Sequence, residues 1–309
     1  MNKELSIPGS SKLIDLIFYG NYFYGICAVA LSIEANLQQR IPLNNFFYFF
    51  LVFIGAVLVY TYPYVRRSIG ESADKRTNWY SRNYNFVFAS QLSFTIILCL
   101  SFVWVTWKHN EIFYEMTIEQ WIILLIFPVV AALYYGNKII LRKYSLRNIG
   151  WLKPFVIGFT WAGVVTVYPA LAYSLFNKIE YQLSWVTALL FLKNLMFVAV
   201  LCIMFDIKDY AADYISRLKT FVVDFGLRKT IFTILFPLSV IGLLSFLYYA
   251  ISHDFSVMKV ILNLVPFILL FSVARSLRRR RSILYYLTVV DGLMLIKAIC
   301  GIIAISFFD

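Results

Sequence analysis

The chain has 309 residues, of which 61% are hydrophobic and only 14% charged, with a net charge of +12. A mean hydropathy of +0.76 excludes an ordinary water-soluble globule. The apolar residues come in blocks of about 18 to 24, the length a helix needs to cross roughly 30 Å of hydrocarbon, so the bilayer is the solvent to reason with.

Nine such blocks follow one another: Ile14–Ile33, Leu43–Tyr64, Asn83–Trp107, Glu119–Gly136, Leu152–Phe176, Leu183–Phe205, Lys229–Ile251, Val257–Ala274 and Ile283–Phe308. Their ends are good to about 2 to 4 residues. The intervals between them are short, and the longest, around Asp206 to Arg228, is too small to bury a core of its own. The expectation is an all-α polytopic membrane bundle of about nine transmembrane helices, a single domain over residues 1–309. A polar stretch precedes the first block and no small-residue cleavage site follows it, so that block reads as a retained helix.

In a soluble chain the basic balance would suggest nucleic acid. Here the cations are sided, which points to orientation and lipid contact and speaks against a nucleic-acid partner. Arg66, Arg67, Lys75, Arg76 and Arg82 follow block two; Lys138, Arg142, Lys143, Arg147 and Lys153 follow block four. Arg217, Lys219, Arg228 and Lys229 follow block six, and Arg275 with Arg278 to Arg281 follows block eight. The alternate loops carry almost none. By the positive-inside rule the basic loops are cytoplasmic, with the N-terminus inside and Asp309 on the opposite side.

Chemistry has few candidates. Cys27, Cys99, Cys202 and Cys300 each fall inside an apolar block and read as small hydrophobes. His109 and His253 lie in the sparsely charged loops, away from any zinc or triad constellation at the basic face. Charged residues at membrane depth are functional suspects by default, and Lys193, Lys297 and Asp291 qualify, whereas Asp15 and Glu34 flank block one, where they snorkel to headgroups. Lys193 with Asn194 reads equally as a cavity wall and as an interhelical hydrogen bond.

The dense constellation is Asp206, Asp209 and Asp213, spaced i, i+3 and i+7 at the end of block six. On a continuing helix all three share one face, where like charges repel and a hard cation such as Mg²⁺ relieves them. The alternative is a solvated helix end whose acids pair with Lys208 and Arg217.

The run Ile203-Met204-Phe205-Asp206-Ile207-Lys208-Asp209, then Asp213, then Arg217-Leu218-Lys219-Thr220-Phe221 and Gly226, resembles the second aspartate-rich motif of the UbiA superfamily of intramembrane prenyltransferases. The resemblance extends to nine helices with aspartate motifs after helices 2 and 6. It implies transfer of an isoprenyl group from a prenyl diphosphate to a membrane-soluble acceptor, with Mg²⁺ as cofactor and a bacterial inner membrane as the setting. Asp206, Asp209 and Asp213 would be metal ligands and, with Lys219, catalytic. The first motif departs: where the family has three aspartates this chain reads Thr61-Tyr62-Pro63-Tyr64-Val65-Arg66-Arg67-Ser68-Ile69. Losing it removes one metal of two. Arg66, Arg67, Lys75, Arg76 and Lys153 offer cations to grip the diphosphate in its place, guanidinium bidentately, or they only obey the positive-inside rule. Tyr134, Tyr135, Trp161 and Tyr168 suit a cavity that shelters a carbocation, although aromatics are abundant at membrane interfaces anyway.

Three function classes therefore stand open: a prenyltransferase, a descendant of that fold that binds an isoprenoid or other lipid or scaffolds a membrane partner, and a transporter. The last lacks interrupted helices in corresponding halves. The orientation is testable at once. Single cysteines near Arg67, Arg142, Arg217 and Arg279 are expected to react from the cytoplasmic side and those near Arg40, His109 and His253 from the other; one reproducible inversion overturns the helix count or the orientation.

Overall fold

In lipid a backbone amide must find its partner inside its own segment, so long apolar runs become helices. The computed structural model describes residues 10–65, 75–135, 149–181 and 183–308, and among them there is no strand. In chain order the helices are α1 (Ser10–Tyr19), α2 (Tyr22–Gln38), α3 (Phe46–Val65), α4 (Lys75–Arg82), α5 (Tyr84–Lys108), α6 (Asn110–Glu115) and α7 (Ile118–Tyr135). Then follow α8 (Lys153–Asn177), α9 (Trp185–Ile215), α10 (Phe221–Phe225), α11 (Leu227–Ser252), α12 (Val257–Ser276) and α13 (Ile283–Phe308). Each predicted block meets a helix. Seven of them, α3, α5, α8, α9, α11, α12 and α13, have the length and hydropathy of a span, and α1 with α2 makes an eighth if the bent pair is one span. α7 is apolar but shorter. The chain is a polytopic helical membrane protein.

Block one was expected as one helix and is two, bent by 61° between Tyr19 and Tyr22. Asn21 takes a left-handed backbone, φ 66°, which asparagine tolerates better than most residues. Its carboxamide compensates for the broken ladder by reaching Thr61 of α3 at 3.1 Å and Tyr80 of α4 at 2.9 Å.

α8 and α9 form the axis: 61% of the apolar window of each is buried, against 17% in α3 and α5. Their backbones approach closely because Gly158 has no side chain; a Cβ there would lie 2.7 Å from the carbonyl oxygen of Leu195. α9 runs on to Ile215, ten residues past the apolar block that predicts it, so Asp206, Asp209 and Asp213 do share one continuous helix.

Glu34 does not snorkel. It is fully buried between α2, α9 and α13, where Lys297 Nζ lies 2.7 Å from Oε2 and Gln38 Nε2 donates to Oε1 at 2.7 Å. Lys193 Nζ stands 3.5 Å from Oε1 and donates to Gln38 Oε1 at 3.0 Å. Gly301 makes the room, since a Cβ on it would sit 2.6 Å from Glu34 Cγ. Both carboxylate oxygens are used, so the cluster is closed. Removing its only carboxylate leaves two buried ammonium groups without a counter-charge, which costs about 3–5 kcal/mol. Glu34→Gln is therefore expected to lower the melting temperature in detergent more than Lys297→Met, which leaves Lys193 on the carboxylate, and the double variant to recover part of the loss. Equal melting temperatures for wild type and Glu34→Gln would contradict this account.

Candidate functional site

The ends of α3, α7 and α9 and the starts of α8 and α13 meet at one face of the bundle and enclose a cavity of about 280 Å³. The loops that the charge pattern assigns to one side of the membrane thus connect helix ends that do lie together. Such a volume is at the small end for ligand sites, which run roughly 300–1,000 Å³.

Part of the lining is aromatic. Tyr24 of α2 stacks on Tyr60 of α3 with ring centroids 4.0 Å apart, and Trp161 of α8 stands edge-on to Tyr60 at 5.9 Å and donates its indole N–H to the Tyr60 hydroxyl at 2.5 Å. Tyr134 of α7 and Phe205 of α9 add to it. The stacked and edge-on contacts hold these rings in a fixed arrangement at the cavity.

Charged side chains share this lining. Arg76, only 6% exposed, reaches the cavity from α4 and lies over the Tyr64 ring at 4.6 Å, with Tyr64 stacked on Tyr80 at 4.3 Å. A guanidinium nitrogen donates to the side-chain oxygen of Asn21. Burial works against its charge, but Tyr64, Tyr24, Tyr80 and Asp291 outweigh that and hold the guanidinium above its ordinary value. Lys153, at the start of α8, donates to Asp206 Oδ1 at 2.6 Å. Lys208 and Asp209, 2.7 Å apart, complete the rim.

The candidates from the sequence divide. Arg76, Lys153, Asp209, Tyr134 and Trp161 come together on the cavity. Asp206 is fully buried behind it, tied to Lys153, with Oδ2 making no hydrogen bond among the described residues. Asp213 is two turns beyond Asp206 and half-buried, while Lys219 and Lys75 are exposed. Arg66 and Arg67 lie outside the described residues, as does the side chain of Tyr135.

Tyr168, Lys193 and Asn194 do not line this cavity. Tyr168 donates to the carbonyl of Leu124 at 2.5 Å, Asn194 Nδ2 donates to Thr166 Oγ1 at 2.8 Å, and Lys193 belongs to the Glu34 cluster. At 1.5 Å per residue, Lys193 is about 20 Å along α9 from Asp206, too far for one small cavity.

Among the described residues no group of three or more His, Cys, Asp or Glu side chains gathers closely enough to hold a metal ion. As placed here the three carboxylates do not converge as the spacing implies for a Mg²⁺ site, and Lys153 Nζ lies 2.6 Å from Asp206 Oδ1.

Sequence reading missed Tyr24, Tyr60 and Tyr64, expected Lys208 only as a partner of the acids, which it is for Asp209, and noticed Asp291 without a partner. Asp291 of α13 is 4% exposed, lines the cavity and accepts a hydrogen bond from the Tyr24 hydroxyl on Oδ2 at 2.6 Å. Its signal was its depth in the membrane. Compared with family models, with curated proteins and with solved structures, the chain matches none.

Proposed function

We propose that this protein is a UbiA-like intramembrane prenyltransferase, moving an isoprenyl group from a prenyl diphosphate to a membrane-soluble acceptor. The observation that carries the reading is a cavity whose lining combines the aromatic rings of Tyr24, Tyr60 and Trp161 with the cations Arg76, Lys153 and Lys208. An amphiphile with an anionic head and an allylic tail matches that combination. The cations take the diphosphate, Arg76 as a planar fork and the lysines as point charges. The small volume takes the head and first isoprene unit, and the rest of the tail lies against the lipid-facing helices.

The allylic C–O bond breaks with its electron pair leaving on the diphosphate, where the three cations meet the developing charge. The allylic cation lies against Tyr24, Tyr60 and Trp161. A nucleophilic atom of the acceptor then bonds to the allylic carbon and gives up its proton. By the positive-inside rule the diphosphate end faces the cytoplasm.

A second reading is a binder of isoprenoid diphosphates without turnover. It is favoured by the salt bridge that neutralises Asp206 with Lys153 and by the dispersed aspartates. Turnover separates the two, because only an enzyme must hold the departing diphosphate more strongly than the intact ester. The full chain in lipid nanodiscs, given Mg²⁺, prenyl diphosphates of several lengths and a native membrane extract as acceptor source, is expected to release inorganic diphosphate. Arg76→Met and Lys153→Met are each expected to reduce that rate by about 100-fold or more, and to weaken binding of an uncleavable thiolodiphosphate analogue much less. Saturable analogue binding with no release from any donor would establish the binder instead, and neither binding nor release would sink both.

A further inference from the structure

Asp291 is a carboxylate at membrane depth that is neither paired nor closed in. No ion pair reaches it among the described residues, its one hydrogen bond is the Tyr24 hydroxyl on Oδ2, and Oδ1 is left without a partner on the cavity wall. The titratable groups around it are Tyr24 and Cys27 from α2, Arg76 from α4 and Cys202 from α9. Arg76 acts on it only through space. Glu34, at similar depth, has both oxygens satisfied by two lysines and a glutamine. An intramembrane carboxylate with an open oxygen on a cavity is costly as structure alone.

The backbone turns that oxygen to the cavity. The five residues before Asp291, Tyr286–Val290, form a π turn, and the Asp291 amide donates to the carbonyl of Tyr286 at 3.0 Å. A π turn inserts one extra residue and so rotates everything after it by about 100° relative to a regular helix. Tyr24, which holds Oδ2, is itself stacked on Tyr60, so the carboxylate is presented in one orientation beside the aromatic rings.

We infer that Asp291 is the proton acceptor of the transfer, taking the proton of a hydroxyl-bearing acceptor on Oδ1 while Tyr24 positions it through Oδ2. The assignment rests on the prenyltransferase reading. As the prenyl C–O bond breaks and its electron pair leaves on the diphosphate, the acceptor oxygen bonds to the allylic carbon and its O–H proton passes to Oδ1. Asp291 is then a neutral carboxylic acid, which returns the proton to the departing diphosphate or to water. No further reactant is needed.

A purely structural role gives a different expectation, because Asn keeps an oxygen for the Tyr24 hydroxyl but is no base. In the nanodisc assay, with farnesyl diphosphate as donor and native membrane lipid extract as acceptor source, Asp291→Asn is expected to lower kcat by about 100-fold or more. Affinity for the farnesyl thiolodiphosphate analogue changes little, Asp291→Glu restores part of the rate, and the acidic limb of the wild-type pH–rate profile disappears in the Asn variant. Should the Asn variant not fold, Tyr24→Phe decides: it keeps the base, and its acidic limb is expected to be displaced from that of the wild type. Wild-type kcat in Asp291→Asn, or an unmoved limb in Tyr24→Phe, overturns the assignment and leaves the transferase standing. A wild type that turns over no donor overturns the transferase reading and this one with it.

Discussion

A charge carried to membrane depth must be neutralised by a partner or face a polar cavity, and this fold contains both solutions. Glu34 is the first: Lys193, Lys297 and Gln38 converge on it from α9, α13 and one turn along α2, and no oxygen is spare. Such a cluster tethers three helices that share no polar contact forced by their apolar faces, and lipid offers no hydrophobic drive to hold helices together. The second solution lies at the opposite end of α9 and α13. There Asp291 keeps one oxygen without a hydrogen bond on a cavity that Arg76 and Lys153 also line, and Asp206 is buried behind it on Lys153. A carboxylate whose satisfaction is complete belongs to the scaffold, whereas one left half satisfied beside a cavity is set for a ligand.

The charged lining depends in turn on the bend at Asn21. A straight first helix would carry Asn21 along the bundle; with the left-handed residue the chain turns by 61° and the carboxamide faces α3 and α4 together. Its nitrogen serves Thr61 and Tyr80 and its oxygen serves Arg76, so all of its polar capacity is directed at two other elements. Aspartate would keep the oxygen but lose both donations. Tyr64, stacked between the Tyr80 ring and the guanidinium, completes the support of Arg76. The arginine is thereby held with its charge at the cavity instead of reaching for headgroups, as a long flexible side chain near a helix end otherwise does.

The helices were legible because length and hydropathy alone decide which segments the bilayer accepts. The shared face of Asp206, Asp209 and Asp213 was legible too, since spacing on a helix is a local property. What escaped had no local signature. Tyr24 and Asp291 meet across 267 positions of sequence, and nothing near either names the other. The Gly20-Asn21 pair is a turn signal, and block one was drawn straight across it. Glu34 was assigned to the headgroups from its place near a block end, but burial depends on the neighbouring helices, two of which bring lysines to it. Tyr168, Lys193 and Asn194 were grouped with the cavity by residue type, and distance along the helix axis separates them from it.

The uncharged end of α3 bears on how the cavity manages charge. Thr61, Tyr62, Pro63, Tyr64 and Val65 carry no ionised group. Thr61 and Tyr64 serve the Asn21–Tyr80–Arg76 assembly, one by hydrogen bond and one by stacking. Uncharged residues there leave the cation directed at the cavity. Lys153 answers Asp206 and Lys208 answers Asp209, whereas Arg76 rests on the uncharged Asn21 and Tyr64. An end of α3 without a carboxylate among residues 61–65 and cations held by Asn21, Tyr64 and Asp206 together set the charge of this cavity.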